Sequence, residues 1–208
     1  MRKVIRTAIF GCIIAVLIIS FCVYLSKRTT SNEETAEPEK VTAMDEVLNK
    51  DFQEDYPGTP RSVIKWYNKI VKLYYNDDAT DEQVIDLADK ARELWDDELI
   101  DANPRDTYLT ALKADIADYA KHDRVIASTD VCDSDEVKYY TYDGSDMASV
   151  IASYFVTEGS GYSKVYQKYA LRKDDNGNYK IVAFELCDSE GNPLDSGTVI
   201  TPGNSGDN

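Results

Sequence analysis

The sequence predicts an α+β domain that follows an N-terminal transmembrane helix. Between Arg6 and Lys27 lie twenty uncharged, mostly apolar residues. Apolar residues then recur at helical spacing up to residue 122, and β-branched and aromatic residues dominate residues 124–187. Helices that precede a run of hairpin-connected strands are typical of the α+β class. We therefore expect about three amphipathic helices packed on an antiparallel sheet of 4–5 strands.

Charge divides the chain into a basic, apolar head and an acidic body. Residues 1–28 contain five basic and no acidic side chains, yet the whole chain of 208 residues has a formal charge of −15. Nucleic acid binding needs clustered Lys and Arg side chains, so no nucleic acid partner is expected. A hydrophobic content of 43% with 15 Tyr excludes a wholly disordered chain.

The apolar run at residues 7–26 predicts a single-pass anchor in the lipid bilayer, within a head at 1–28. Twenty helical residues span about 30 Å, which is one hydrocarbon core. A cleaved signal peptide would end in small residues, but this run ends in Phe21, Cys22 and Val23. Three basic residues precede the run and two follow it. The positive-inside rule therefore predicts a plasma-membrane protein with a cytoplasmic N-terminus and an extracytoplasmic C-terminal domain.

Composition places the other boundaries. Residues 29–43 are polar and acidic without an apolar period, which predicts a disordered stalk. Residues 189–208 are rich in Gly, Ser, Asp and Asn and predict a flexible tail. Residues 44–188 are long enough to form one α+β domain with a single core.

Cap signals mark the helices of this domain. After a short amphipathic turn at 44–52, Thr59-Pro60 supplies an N-cap and a first-turn proline. Thr80 and Gln83 form a capping box for the second helix. The apolar stripe of that helix is predicted to extend to Trp95. Asn103-Pro104 repeats the cap-and-proline signal for a third helix that ends near residue 122. The acidic run at 96–98 between them is interpreted as a solvated face.

Five segments beyond residue 124 are predicted as strands. Glu158–Gly161 and Asn176-Gly177 join the last three as hairpins. The predicted strands are residues 125–127, 137–140, 147–157, 162–173 and 178–187.

A basic stripe is the first candidate ligand site. Lys164, Lys168 and Arg172 lie with Tyr166 on one face of a predicted strand. Such a stripe binds an anionic ligand or acidic partner, or else it is a solvent face that neutralises neighbouring acids. Glu185 lies in an otherwise apolar strand and points either into a pocket, where burial would raise its pKa, or outward. The outward orientation is favoured.

Tyrosines on predicted helix and strand faces are the second candidate. Each ring can be buried while its hydroxyl stays wet, so these residues form either the rim of the core or a ligand cleft. They are Tyr67, Tyr74, Tyr108, Tyr119, Tyr154, Tyr166 and Tyr169.

Catalytic and metal motifs give no candidates. The sequence has no nucleophile elbow, zinc-protease motif or phosphate loop, and its single histidine, His122, lies near a predicted helix end. No catalytic residue, metal site or cofactor is predicted. Cys132 and Cys187 form a disulfide in an exported domain, or they are two unpaired thiols, and spacing leaves both alternatives open.

Two resemblances accompany these patterns. Residues 178–185 resemble the closing strand of the nuclear transport factor 2-like (cystatin-like) superfamily, and the resemblance covers residues 56–188. It implies a curved sheet wrapped on helices with a pocket at the open end, and no catalytic residue carries over. Segments 50–61 and 65–67 resemble an uncharacterised family of membrane-anchored proteins from clostridial-type Gram-positive bacteria.

The combined patterns favour an anchored, extracytoplasmic binding or interaction domain without enzymatic activity. The binding version predicts a ligand in a tyrosine-lined cleft near Lys164, Lys168 and Glu185. One alternative, which the superfamily resemblance implies, is an assembly scaffold in a cell-envelope or secretion or conjugation complex, and it predicts self-association or a protein partner. The other is a pocket enzyme that uses Glu185 in acid–base chemistry.

Overall fold

The computed structural model describes residues 42–76 and 79–194. The predicted anchor, nearly all of the predicted stalk and the chain from residue 195 lie outside the described residues. Within the two described ranges, none of the helices has the length and apolar character needed to cross a bilayer.

Helices occupy the first half of the described chain. The capping box is confirmed: the Gln83 N–H donates to Thr80 Oγ1 at 3.2 Å, and the Thr80 N–H donates to Gln83 Oε1 at 2.9 Å. The Ser62 N–H donates to Thr59 Oγ1 at 3.1 Å, so Thr59 caps the helix that begins at Pro60. The helices are α1 (Ala43–Leu48), α2 (Pro60–Asn76), α3 (Asp81–Arg92), α4 (Asp97–Ala102) and α5 (Arg105–Lys121).

The sequence interpretation of residues 96–104 is wrong in two respects. Asn103 does not cap α5; it follows the last residue of α4, and Pro104 precedes α5 without a side-chain cap. Asp96 is not on a solvated face, because it is only 9% exposed and its carboxylate accepts from the Glu98 N–H at 3.0 Å. Helix α4 has only six residues, too few to show an apolar period.

All five predicted strands are present and form one antiparallel sheet in the order β1-β3-β4-β5, with β2 also paired to β3. The longest strand, β3, carries β1 and β2 one after the other along the same edge. Its turn into β4 has two residues and begins with Gly159 at φ 55°, a conformation that favours glycine. The strands are β1 (Arg124–Val131), β2 (Lys138–Tyr142), β3 (Ser145–Glu158), β4 (Gly161–Lys173) and β5 (Tyr179–Cys187).

The core lies between the helices and one face of the sheet. Alternate residues of β3, from Ala148 to Val156, are buried on that face. Helix α2 buries Val63, Ile64 and Ile70 against them, each fully enclosed. Period-2 alternation in the strand and a helical stripe in α2 therefore meet in one core, which confirms the α+β class.

The segment between α3 and α4 pairs with the outer edge of β5. The Ile181 N–H donates to the Leu94 carbonyl, and the Asp96 N–H donates to the Ile181 carbonyl, both at 2.9 Å. Trp95 lies between these two bonds as a parallel bridge partner of Ile181. The chain ahead of α4 is thus fixed to the sheet at one point.

Of the two alternatives for Cys132 and Cys187, the disulfide is wrong, because both residues are free thiols in the structure. The Cys132 N–H donates to Ile151 of β3 at the end of β1, whereas Cys187 lies on β5 opposite Tyr166 of β4. Their strands are three steps apart in the sheet, a separation of about 14 Å. A disulfide needs Cα atoms within about 7 Å.

Candidate functional site

A cavity of about 380 Å³ lies between α2, α5 and the helix-facing side of the sheet. We call it the tyrosine cavity. Its lining includes Tyr75 and Trp95, and the side chains of Val71, Leu112 and Phe184 form an apolar part of its wall. Five of the seven tyrosines singled out from the sequence line it: Tyr67, Tyr74, Tyr108, Tyr119 and Tyr154.

Helical spacing explains how these rings converge. Tyr67 and Tyr74 are seven residues apart on α2 and therefore project from the same face. Tyr75, beside them, meets Tyr119 of α5 with ring centroids 4.3 Å apart. The buried ring of Tyr169 supports Tyr67 from the sheet, edge to face at 5.8 Å. The cavity wall is therefore built by contacts between α2, α5 and β4.

A chain of hydrogen bonds runs through the buried wall to the cavity. The Tyr154 hydroxyl lies 2.5 Å from Asn68 Oδ1 and 2.5 Å from the Tyr169 hydroxyl, which donates to Gln167 Oε1 at 2.6 Å. Asn68 is 2% exposed and its Nδ2 has no partner. Gln167 itself lines the tyrosine cavity.

Counting protons assigns the direction of this chain. Two hydroxyls supply only two protons for three contacts, while the Asn68 Nδ2 has protons to spare. Turning the Asn68 amide so that Nδ2 faces Tyr154 provides one donor for every contact and gives Nδ2 its partner. Donation then passes from Asn68 through Tyr154 and Tyr169 to Gln167.

Burial keeps the phenols of this region neutral. It raises the pKa of Tyr67, Tyr154 and Tyr169 well above the ordinary tyrosine value. Burial likewise raises the pKa of Tyr74. At neutral pH the cavity therefore offers uncharged hydroxyls and ring faces rather than a phenolate base.

Trp95 supplies the one unsatisfied polar group that lines the cavity within the described ranges. The residue is 4% exposed and its buried Nε1 has no hydrogen-bond partner. The Tyr67 hydroxyl is near enough for the indole to oppose the rise in the Tyr67 pKa, but the two do not form a hydrogen bond of normal geometry. An unpaired buried N–H is costly, so a ligand acceptor would stabilise it.

Sequence analysis missed this role of Trp95 because it placed the residue in the stripe of the second helix. The structure ends α3 at Arg92, and Trp95 lies beyond it in the bridge to Ile181. Its ring meets that of Tyr108 edge to face at 4.8 Å, and the Arg92 guanidinium lies over both rings. No local pattern distinguishes such a residue from an ordinary core tryptophan.

The basic stripe lies on the opposite face of the sheet. Lys168 is opposite Glu185, with Nζ 3.4 Å from Oε1, and it also donates to the Gly191 carbonyl at 3.3 Å. Lys164 lies over the Tyr166 ring at 5.0 Å. Arg172 turns to carboxylates at the start of α4. The structure thus brings the stripe and Glu185 together on one face, and each cation has a partner there.

The prediction of one tyrosine-lined cleft near Lys164, Lys168 and Glu185 is therefore wrong. Alternation correctly puts Lys164 and Lys168 on a common face, but the helices cover the other face of the sheet. The Glu185 side chain is 50% exposed, which confirms the outward orientation. Within residues 42–76 and 79–194, no group of three or more His, Cys, Asp or Glu side chains is arranged to hold a metal ion.

Comparison with known proteins gives a family but no activity. A family model described as a domain of unknown function, DUF6715, matches residues 1–184. No curated protein matches the chain. Because the match covers well over half of its length, the chain belongs to the DUF6715 family.

Proposed function

We propose that this protein is a single-pass, membrane-anchored, extracytoplasmic binding domain without enzymatic activity. In this proposal the tyrosine cavity holds a small aromatic or apolar molecule. The anchor and its orientation rest on the apolar run at 7–26 and its flanking charges. The cavity itself, with the unpartnered indole N–H of Trp95, is the observation that carries the binding role.

The lining defines the chemistry of this ligand. Its volume of about 380 Å³ is in the range of small-molecule sites. Neutral tyrosines and aromatic faces favour a flat, uncharged molecule, and Trp95 Nε1 requires a hydrogen-bond acceptor on it. A cationic ligand is disfavoured because Arg92 already occupies the faces of Trp95 and Tyr108.

The finer fold assignment belongs to the same proposal. We assign the domain to the nuclear transport factor 2-like superfamily, and the chain to an anchored family of clostridial-type Gram-positive bacteria. Helices packed on one sheet face around a cavity support the first assignment. Register shifts in β1 and between β4 and β5 support a bent sheet.

The first test is occupancy of the cavity. Native mass spectrometry of the full chain, released from detergent micelles, should show a bound small mass that is lost on denaturation. Ala111 is exposed at the cavity wall, so Ala111→Trp should block entry and remove the added mass. Ala114→Trp, on the same helix but outside the lining, should keep it.

A defined probe tests the indole directly. Acetophenone presents a ring and a carbonyl acceptor, and α-methylstyrene has nearly the same shape without the acceptor. Acetophenone should move the Trp95 indole N–H resonance downfield, and α-methylstyrene should not. An unchanged resonance at high acetophenone, or the same shift in Ala111→Trp, would rule out the ligand site. Defined oligomers with neither bound mass nor probe response would favour the assembly scaffold.

A further inference from the structure

The outer edge of β5 is covered at both ends and open in the middle. At one end, Leu94 and Asp96 pair with Ile181. At the other, the chain turns back after β5, Pro193 bridges to Cys187, and the Leu194 N–H donates to the Leu186 carbonyl at 3.2 Å. The residues between the two covers run from 183 to 186, and all four are exposed.

Alternation in the ladder shows which backbone groups are free. Because the Leu186 carbonyl accepts from Leu194, Leu186 directs its backbone groups away from β4. In an antiparallel ladder the residue two positions earlier points the same way, so Phe184 does too. Within the described ranges the N–H and C=O of Phe184 and the N–H of Leu186 have no backbone partner. These three groups form a short template for another strand.

Apolar side chains accompany the free backbone groups. Phe184 is 43% and Leu186 is 44% exposed, and they project from the same side of β5. An edge with unpaired backbone groups and exposed apolar side chains is the type of edge to which an extended segment adds. Phe184 also forms part of the wall of the tyrosine cavity and Leu186 does not, so this surface adjoins the ligand site at Phe184 and extends beyond it.

Charge around the open edge selects the occupant. Carboxylates without an ion pair in the described residues lie at both ends of the open edge. Asp97 follows Asp96, which pairs with Ile181, and Asp188 and Glu190 follow the end of β5. The nearby cations are already engaged, Lys168 with Glu185 and Arg172 with Asp96. If two copies paired through this edge, the carboxylates of one copy would lie close to the same carboxylates of the other. Their repulsion disfavours a dimer formed through β5.

We propose that residues 183–186 of β5 bind an extended, basic segment of a partner protein by strand addition. The segment pairs with the free groups of Phe184 and Leu186. Its alternate apolar side chains cover these two residues, and its Lys or Arg side chains meet the surrounding carboxylates. This surface adds a protein partner beside the small-molecule site and shares Phe184 with the wall of that site.

The probe is a blocked hexapeptide of alternating Val and Lys, added to the full chain in detergent micelles. Hydrogen exchange of the Phe184 and Leu186 amides should slow when the peptide binds. The matched peptide with Glu in place of Lys should bind at least about tenfold more weakly. A third peptide, N-methylated at every backbone amide, has no N–H donors left on either edge and should give no protection.

Variants of the chain locate the surface. Leu186→Lys places a positive charge on the edge, which repels the Lys peptide and should lower its affinity about tenfold. Val125→Lys is the control, because Val125 is 42% exposed on β1 at the far edge of the sheet, and it should leave binding unchanged. The proposal is overturned if the Lys peptide gives no protection, if the methylated peptide protects equally, or if Val125→Lys weakens binding as much.

Two further outcomes would identify another occupant and also overturn the proposal. If deletion of residues 195–208 speeds exchange at Phe184 in the absence of peptide, the edge is occupied by the chain's own C-terminal segment. If protection without peptide rises with protein concentration, the occupant is a second copy. We expect neither change.

Discussion

The Arg172 guanidinium on β4 holds the Asp96 carboxylate at the start of α4 through two hydrogen bonds. Nε lies 3.0 Å from Oδ2 and Nη2 lies 2.5 Å from Oδ1, while Nη1 reaches Glu98 at 3.0 Å. The Asp96 N–H also donates to Ile181 of β5. One residue therefore ties α4 to two strands and holds Trp95, its neighbour in sequence, against the cavity.

Asp96→Asn should destabilise the domain by about 2 kcal/mol, because it removes a charged partner from Arg172 and keeps the cap acceptor. Asp96→Ala should lose about 1 kcal/mol more, since the cap of α4 is also removed. Urea unfolding followed by tryptophan fluorescence measures both. Asp101→Asn, an exposed acid of the same helix, should stay within about 0.5 kcal/mol of the parent. Equal effects at 96 and 101 would contradict the role of the ion pair.

The ion pair between Asp96 and Arg172 predicts that the free energy of unfolding decreases at acid pH. Burial alone would raise the pKa of the Asp96 carboxyl, but hydrogen bonds from Arg172 and the Glu98 N–H outweigh it and lower the pKa. The stabilisation is therefore present above the unfolded Asp pKa of about 3.9 and is lost as the pH falls through the lower folded value. Unfolding midpoints measured against pH should fall less steeply in Asp96→Asn than in the parent. Parallel acid limbs would refute this linkage.

The hydroxyl chain behind the tyrosine cavity should be sensitive to a single oxygen. Tyr154→Phe leaves Asn68 and Tyr169 without their common partner in a buried site, and we expect a loss of about 2 kcal/mol. Tyr162→Phe is the matched control, because Tyr162 is 50% exposed. Urea unfolding measures the free energy of unfolding of both variants. A loss for Tyr162→Phe as large as that for Tyr154→Phe would show that the buried hydrogen bonds contribute little to stability.

Alkaline pH should destabilise the domain through its buried phenols. Burial raises the pKa of Tyr67, Tyr154 and Tyr169, so the folded state keeps protons that the unfolded state loses above about pH 10. This contribution is complete below that pH and declines as the pH rises further. Phenolate absorbance of these residues should therefore appear together with the loss of circular dichroism. Titration of all 15 tyrosines in the folded chain would contradict it.

The capping box at the start of α3 should contribute to stability in the ordinary way. Thr80→Ala removes the acceptor of the Gln83 N–H and should lower the free energy of unfolding by about 1 kcal/mol. Thr107→Ala, an exposed change inside α5, should be neutral or slightly stabilising because Ala favours helix. Thermal unfolding compares the two variants. Equal changes in their unfolding temperatures would show that the cap at Thr80 does not contribute to stability.

Features that depend on neighbouring residues were predictable, and features that depend on distant ones were not. Thr80 and Gln83 are three residues apart, so the sequence alone predicts their hydrogen bonds. Arg172 and Asp96 are 76 residues apart, and no spacing rule joins them. Strand alternation placed Lys164, Lys168 and Arg172 on one face but could not say which face of the sheet the helices cover.

The cavity shows the same limit. The tyrosines of α2 have the spacing of a helix face, which allowed either a core rim or a cleft. The choice depends on how α5 crosses that face, a tertiary contact that helix periodicity does not encode. Trp95 was predicted within the second helix but lies beyond the end of α3, so its position depends on a backbone pairing with β5.

The arrangement of strands around β3 bears on the order in which the domain folds. Its partner β4 is joined by a two-residue turn, so this long hairpin closes only a small loop and can form early. Residues of α2 reach the sheet only after a loop of about fifty residues has closed, as in the contact of Asn76 with Ile126. We therefore expect the hairpin to nucleate the sheet, the helices to dock later, and amide protons in the middle of β3 to exchange most slowly in the native state.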